Sequence, residues 1–266
     1  MKPDPDRPVE IVSIGTEVVL GRIQDTNASW LAGRLAHAGA SVRRITGVPD
    51  TPDEVRAVLA DAVARGTGLI VSTGGLGPTP DDMTVATISA AAGCGVARDP
   101  EAVADYRQRR DIPDDEELPP NLAKMATVPE TAAVFINPVG WAPGFMAPLG
   151  DTVMFAMPGP PREMKGVYEA HLGPLADSWY AGRTVAQRLR VEMFESQVSP
   201  LLEEAMNRYP NAYLKAYVAL GDGAGLPIDV VVRRSDGVPP AEELQDVIRF
   251  FGDLVRLHGK EIEFID

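Results

Sequence analysis

Residues 69–92 read LIVSTGGLGPTPDDMTVATISAAA, and this stretch decides the fold. It opens on the apolar run Leu69–Ser72, which has the length and composition of a buried strand. From about Asp82 to Ala92 it reads as a helix. Between them, Thr73–Thr84 packs three glycines, two prolines and two adjacent aspartates into twelve positions. Strand, glycine loop and helix in that order form one step of a parallel α/β sheet.

The same step is repeated upstream. Val9–Gly15 is a short β-rich run, and residues 28–39 place Trp30, Leu31, Leu35 and Ala38 near one helical face, with Gly39 as a stop. Residues 41–48 form a second strand. Thr51–Arg65 then sets Val55, Val58, Leu59, Ala62 and Val63 at amphipathic-helix spacing. The order β-α-β-α-β-α predicts a parallel sheet with helices on both faces.

Downstream, a helix opens at Asp99 with its proline in the first turn, an acidic excursion spans residues 111–120, and a short helix covers residues 121–126. Strands at 133–138, 145–148 and 152–157 follow, then a helix to about Leu175. Composition shifts near residue 180. Beyond it the sequence predicts strand 189–194, helix 199–209, strands 212–218 and 227–233, helix 239–258 and an edge strand in the tail 260–266. The expected organisation is a three-layer α/β/α domain over residues 1–180 with a mostly parallel sheet, followed by a small α+β domain over residues 181–266.

A formal charge of −13 argues against non-specific binding to nucleic acid or to an anionic membrane, because the summed field repels polyanions. The N-terminus MKPDPDRP has no signal-peptide core, and no apolar run reaches a bilayer span. The single cysteine, Cys94, forms no internal disulfide. A cytoplasmic protein is expected.

Ligands of open parallel sheets bind where strands end and loops lead into helices. Polar loops fall at those ends: GTEVVLGRIQDTN (15–27), GVPD (47–50), TGGLGPTPDDMT (73–84), NPVGWAPG (137–144) and MPGPPREMK (157–165). Gly74, Gly75 and Gly77 leave room for a ligand on the main chain, and their amides precede a helix N-terminus, which favours an anion. Thr73, Thr79 and Thr84 add hydroxyls, while Asn27, Gly140, Pro158 and Gly159 come from the neighbouring loops. Neither a Walker A loop nor a dinucleotide fingerprint is present. One of Asp81 and Asp82 is expected to cap the following helix, and the pair also suits a metal site. Two carboxylates beside an anion cradle repel the anion unless a cation bridges them, which points to a divalent metal: Mg²⁺, with Co²⁺ or Mn²⁺ as alternatives. Glu17 and Asp50 could supply a further ligand or a base for water, and Lys124 a phosphate contact. The three histidines make no metal set, and no nucleophile elbow occurs.

Taken together, SIGTEVVLGRIQDTNASWLAGRL, GVPDTPDEV, TGGLGPTPDDMT, NPVGWAPGF and MPGPPREMK resemble the N-terminal domain of the competence/damage-inducible CinA family, over about Val9 to Leu175. That domain shares the molybdopterin-binding fold of the MogA, MoaB and MoeA proteins. The resemblance implies a three-layer α/β/α fold, a site built on Asp50, Gly74, Gly75, Gly77 and Asp82, and a homo-oligomer. It also implies a metal-dependent pyrophosphatase acting on ADP-ribose, giving AMP and ribose 5-phosphate. The ligand would be a nucleotide or a pterin phosphate. The alternatives are an adenylyltransferase of the molybdenum-cofactor type and a nucleotide-binding sensor without turnover. The deamidase domain that often follows in the family is not expected, since the sequence ends at Asp266. Trp141 stands where the family usually has a small or hydroxyl residue, and it either packs, stacks on a base or narrows the pocket.

Overall fold

In the computed structural model, residues 1–218, 225–234 and 238–265 are described, and the chain divides into two compact units, Met1–Trp179 and Tyr180–Asp266. Asp266, the last residue of the expected tail strand, lies outside the described residues.

The first unit is built on a six-stranded sheet in the order β2-β1-β3-β8-β7-β6. Strands β1 (Val9–Ile14), β2 (Val42–Val48), β3 (Leu69–Thr73) and β8 (Thr152–Met157) run parallel, β7 (Gly144–Leu149) pairs antiparallel with β8, and β6 (Ala133–Phe135) pairs antiparallel with β7. Every residue of β1, β3 and β8 is buried. That is what a parallel sheet covered on both faces requires, and it explains why these strands read as continuous apolar runs. Helix α2 (Thr26–His37) packs on β1 and β2, while α3 (Pro52–Ala64) packs on β2 and on α4 (Thr84–Ala92). Val55, Leu59 and Ala62 of α3 join Val12, Ile14 and Ile70 of the strands in one core. The three-layer, mostly parallel architecture is the expected one.

Some elements depart from expectation. A four-residue helix, α1 (Thr16–Val19), follows β1, and a short antiparallel ladder pairs β4 (Val96–Arg98) with β5 (Thr127–Pro129). Such pieces are too short to show a period. Between them lie α5 (Pro100–Arg110) and α6 (Pro120–Met125). The helix after β8 continues past Leu175: α7 (Pro161–Val167) passes through a π turn at Tyr168–Leu172 into α8 (Gly173–Tyr180). Pro174 has no N–H for the usual ladder, so a wider turn there accommodates its loss.

The second unit is an antiparallel sheet in the order β10-β11-β9-β12, formed by β9 (Thr184–Val191), β10 (Ala212–Ala216), β11 (Leu226–Arg233) and β12 (Ile262–Ile265). Helices α9 (Glu195–Arg208) and α10 (Pro240–Leu257) pack on it. Strand β9 starts at Thr184 rather than Leu189, because Arg188 lies in the ladder and pairs with Asp229 of β11 at 2.6 Å. Helix α9 starts at Glu195 rather than Ser199. Gln197 Oε1 accepts from the Phe194 amide at 3.1 Å, and Pro200 is carried inside the helix. Among the described residues, no helix is long and apolar enough to cross a membrane.

Two interactions hold the frame of the first unit. At one end of β1, Glu10 is 2% exposed and accepts from Arg65 Nη2 at 2.7 Å and from the Thr67 hydroxyl at 2.6 Å. Burial pushes its carboxyl up, but the Arg65 and Thr67 hydrogen bonds and the Arg65 charge outweigh burial and hold it below 4.5. At the other end, Gly74 has φ +107°, and a Cβ there would lie 1.9 Å from the Ile14 carbonyl oxygen. The Gly74 amide donates to Met157 O at 3.0 Å, so the three strand ends are fixed together.

Arg65→Ala leaves Glu10 buried without its cation. We expect a loss of about 1–3 kcal/mol, less than for an enclosed pair because the guanidinium is partly in water. A depressed folded pKa gives stability that is full above the unfolded value and lost as pH falls through the folded one. The gap between wild type and variant in urea melts should therefore be largest near neutral pH, where Glu10 is ionised, and close as pH falls through the carboxylate range. Gly74→Ala should cost about 2–4 kcal/mol, because it combines a left-handed φ with overpacking against a backbone oxygen. A urea midpoint within error of wild type would contradict that contact.

Candidate functional site

A cavity of about 630 Å³ opens where β1, β2, β3 and β8 end and β7 begins. Parallel strands bring their carboxyl ends to one edge, and antiparallel β7 starts at that same edge. All five polar loops reach it: Gly15 and Glu17 after β1, Asp50 after β2, Gly74–Pro78 after β3, Pro158–Pro161 after β8, and Trp141–Ala142 before β7.

The glycine loop forms one wall. Gly74 and Gly75 have φ of +107° and +68°, and a Cβ on Gly75 would meet the Thr84 hydroxyl at 2.0 Å. Thr84 Oγ1 donates to Gly74 O at 3.1 Å, and the Thr84 amide donates to Gly75 O at 3.2 Å. Thr84 is buried, so it builds the loop from behind rather than lining the cavity. Among the described residues, the N–H groups of Gly75, Leu76 and Gly77 have no acceptor, and all three residues line the cavity. Consecutive free amides on a concave turn form a nest for an anion.

Next to them the acidic pair is organised by Thr79. The Thr79 hydroxyl contacts both Asp81 Oδ1 and Asp82 Oδ2, and the Thr79 amide donates to Asp82 Oδ2 at 2.8 Å. Neither aspartate caps the following helix: Met83 occupies that position and makes no side-chain bond. Both carboxylates are instead drawn back to Thr79 within the turn, which corrects the expectation that one of them is the N-cap. The Thr79 hydrogen bond, its own amide and the nearby Lys124 charge hold Asp81 below the usual aspartate range. Lys124 Nζ donates to the Thr79 carbonyl. Thr79 and Lys124 thus shape the loop, while Asp81 and Asp82 face the cavity.

Asp50 Oδ2 accepts from the Thr16 amide at 2.7 Å, and its own amide donates to Thr16 Oγ1 at 3.1 Å. This reciprocal pair ties the loops after β1 and β2, and Asp50 still lines the cavity, as does the exposed Glu17. Asn27 Nδ2 donates to Gly159 O at 2.7 Å and to Thr73 Oγ1 at 3.1 Å, and Thr73 donates to Pro158 O at 2.8 Å. Asn27 Oδ1 is buried, with no donor to it among the described residues.

The remaining wall carries Trp141 and Glu163, and Glu163 was not among the residues singled out from sequence. Its position in the first turn of α7 reads as an ordinary acidic residue favoured by the helix dipole. Asn137, 2% exposed, donates from Nδ2 to Glu163 Oε2 at 2.9 Å and to Ala142 O at 2.9 Å, and accepts the Val139 and Gly140 amides. Gly140 lies behind this wall: a Cβ there would sit 1.9 Å from Glu163 Oε2, so its missing side chain makes the space Glu163 occupies. Trp141 packs edge-on to Tyr106 at 5.7 Å, with the Arg109 and Arg110 guanidinium groups 4.0 and 4.7 Å from its ring centre. It therefore packs against α5 and lines the cavity at once.

Among the described residues, six acidic ones line the cavity, Glu17, Asp25, Asp50, Asp81, Asp82 and Glu163, and no lysine, arginine or histidine does. Among the described residues, no three His, Cys, Asp or Glu side chains form a metal-binding group. Thr79 takes Oδ1 of Asp81 and Oδ2 of Asp82, and no side-chain contact to the second oxygen of either carboxylate is found among the described residues. This donor set suits a hard cation bound by one or two carboxylates and completed by ligand phosphates.

The model of the probable molybdopterin binding domain matches residues 10–177. A protein of Pyrobaculum arsenaticum is 37% identical over 215 residues, 78% of each chain. A CinA-like protein of Mycobacterium sp. is 40% identical over 201 residues, 73% of this chain and 47% of that protein. The crystal structure of the protein CinA, of unknown function, from Thermoplasma acidophilum superposes with a TM-score of 0.57 at 32% identity, over 64% of this chain and 99% of that one. The chain belongs to the molybdopterin-binding domain family and is CinA-like.

Proposed function

We propose that the cavity binds a phosphorylated heterocycle, a pterin phosphate or a nucleotide, with its phosphate on the Gly75, Leu76 and Gly77 amides. The observation that carries this reading is those three free N–H groups on the cavity wall. They donate without adding charge, so the surrounding carboxylates determine when an anion can enter. The family's molybdopterin-binding character supports a ligand of this size and class.

The acidic pair supports a second step, hydrolysis of a diphosphate bridge by water. A divalent metal, Mg²⁺ or else Co²⁺ or Mn²⁺, held by Asp81 and Asp82 would offset the phosphate charge and polarise the P–O bond. Thr79 keeps both carboxylates turned toward the cavity, and Lys124 holds the Thr79 carbonyl. The loop amides stabilise charge that grows on the phosphoryl oxygens. Asp50 or Glu17 orients the attacking water, whose oxygen bonds to phosphorus as the bridging P–O bond breaks. For ADP-ribose the products are AMP and ribose 5-phosphate. Adenylyl transfer onto a pterin phosphate would use the same loop with a different acceptor.

Calorimetry with inorganic pyrophosphate, AMP, GMP and ADP-ribose, each with and without Mg²⁺, tests the site. We expect saturable binding that weakens at least tenfold without metal, as about 1.4 kcal/mol of lost interaction gives. Failure of every ligand to bind with metal present would overturn the reading. Chromatography of ADP-ribose, FAD and NAD incubated with Mg²⁺, Mn²⁺ or Co²⁺ tests turnover. Asp82→Asn keeps an oxygen for Thr79 and should retain the fold, yet lose about a hundredfold or more of any hydrolysis. Unchanged turnover removes Asp82 from the mechanism.

A further inference from the structure

We infer that Glu163 reads the ring of the ligand, selecting a heterocycle that presents two adjacent N–H donors, the 2-amino-4-oxopyrimidine edge shared by pterins and guanine. This rests on the phosphorylated-heterocycle reading above and decides between ring classes that the reading leaves equal.

Glu163 is half-buried in the cavity wall, in the first turn of α7, while the free amides belong to the loop after β3. An ionised carboxylate only accepts hydrogen bonds, and with two oxygens it accepts side by side. Asn137 takes one lone pair of Oε2, and Oε1 has no hydrogen-bond partner among the described residues. The group is also held still. Asn137 is buried, and four hydrogen bonds fix its amide to Glu163, to the Ala142 carbonyl and to the Val139 and Gly140 amides. Gly140 and Glu163 fit together with no space for a side chain between them. A surface glutamate has no need of such support, whereas a recognition group does.

The chemistry of the ring edge follows from this. Pterin and guanine offer a ring N–H beside an exocyclic NH₂, which matches two carboxylate oxygens. Adenine offers one amino group beside an unprotonated ring nitrogen, and that nitrogen would face a negative oxygen with no hydrogen between them. Hypoxanthine keeps the ring N–H and lacks the amino group. Trp141, on the same wall, gives a flat ring an aromatic neighbour whose own position is set by Tyr106, Arg109 and Arg110.

Calorimetry with Mg²⁺ compares GMP, IMP and AMP on the wild-type protein, with inorganic pyrophosphate as the probe of the phosphate end alone. Affinity should fall in the order GMP, IMP, AMP, with GMP at least tenfold tighter than AMP, as a two-point contact to a base edge gives. In E163Q, whose amide replaces one acceptor by a donor, the ratio of GMP to AMP affinity should collapse toward one. A thermal melt shows whether that variant folds, and the three-nucleotide series on the wild type stands without it. Equal affinity for GMP and AMP while pyrophosphate binds would overturn the assignment and leave the phosphate site intact. An unchanged ratio in a folded E163Q would overturn it as well. If pyrophosphate and all three nucleotides fail to bind, the phosphate-site reading falls and the ring assignment falls with it.

Discussion

The site depends on the close approach of the Gly74 backbone to the Ile14 carbonyl. Parallel strands β1 and β3 run side by side, and continuing β3 beyond Thr73 would carry its loop away from β1. Gly74 turns the chain instead, with a positive φ and no side chain between it and the Ile14 oxygen. Its amide closes onto Met157 of β8. Three strand ends thereby share one point, and the loops that follow them share one cavity. Gly159 adds to this: a Cβ there would come within 3.4 Å of the Gly74 Cα.

Around that point polar groups are satisfied across loops rather than within them. Asn27, from the start of α2, bonds Thr73 at the end of β3 and the Gly159 carbonyl after β8. Asp50 and Thr16 join the loops after β2 and β1 in the same way. Loops tied to one another at their polar groups move less than loops tied only to their own strands, and a binding group gains precision from this. Among the described residues, the network leaves the Gly75, Leu76 and Gly77 amides without an acceptor, and all three residues line the cavity. In a folded protein, buried or half-buried donors without acceptors are rare enough to call for a partner.

Much of this was legible in the sequence because the relevant signals are local. Leu69–Thr73 and Thr152–Met157 read as strands because burial on both faces makes them continuously apolar. The glycine loop announced itself by composition. Other features turn on tertiary partners that no local pattern shows. The aspartates after Pro80 look like helix caps until the Thr79 amide and hydroxyl claim them. Pro200 suggests a helix start, but the Gln197 cap places that start at Glu195. Glu163 looks like any first-turn acid, and only the turn from Asn137 to Gly140, folded against it, sets it apart. The ladder of β4 with β5 joins residues some thirty positions apart in strands of three residues, too short to carry an alternation.

Charge gives the site its conditional character on the proposed reading. The net −13 of the whole chain acts weakly at the cavity, since charges beyond about 8 Å are largely screened at physiological salt. Six acidic residues on the cavity wall act at close range and resist a bare phosphate. The amides supply direction to the anion, and a divalent cation on Asp81 and Asp82 would supply the opposing charge. Separating the two roles means that an anion arriving without a cation meets donors of the right geometry in a field of the wrong sign. Arginine or lysine in the same places would bind phosphate permanently. On the proposed reading the arrangement ties binding to the metal and leaves Glu163, at the other wall, to act as an acceptor, since among the described residues no basic side chain lines the cavity to pair with it.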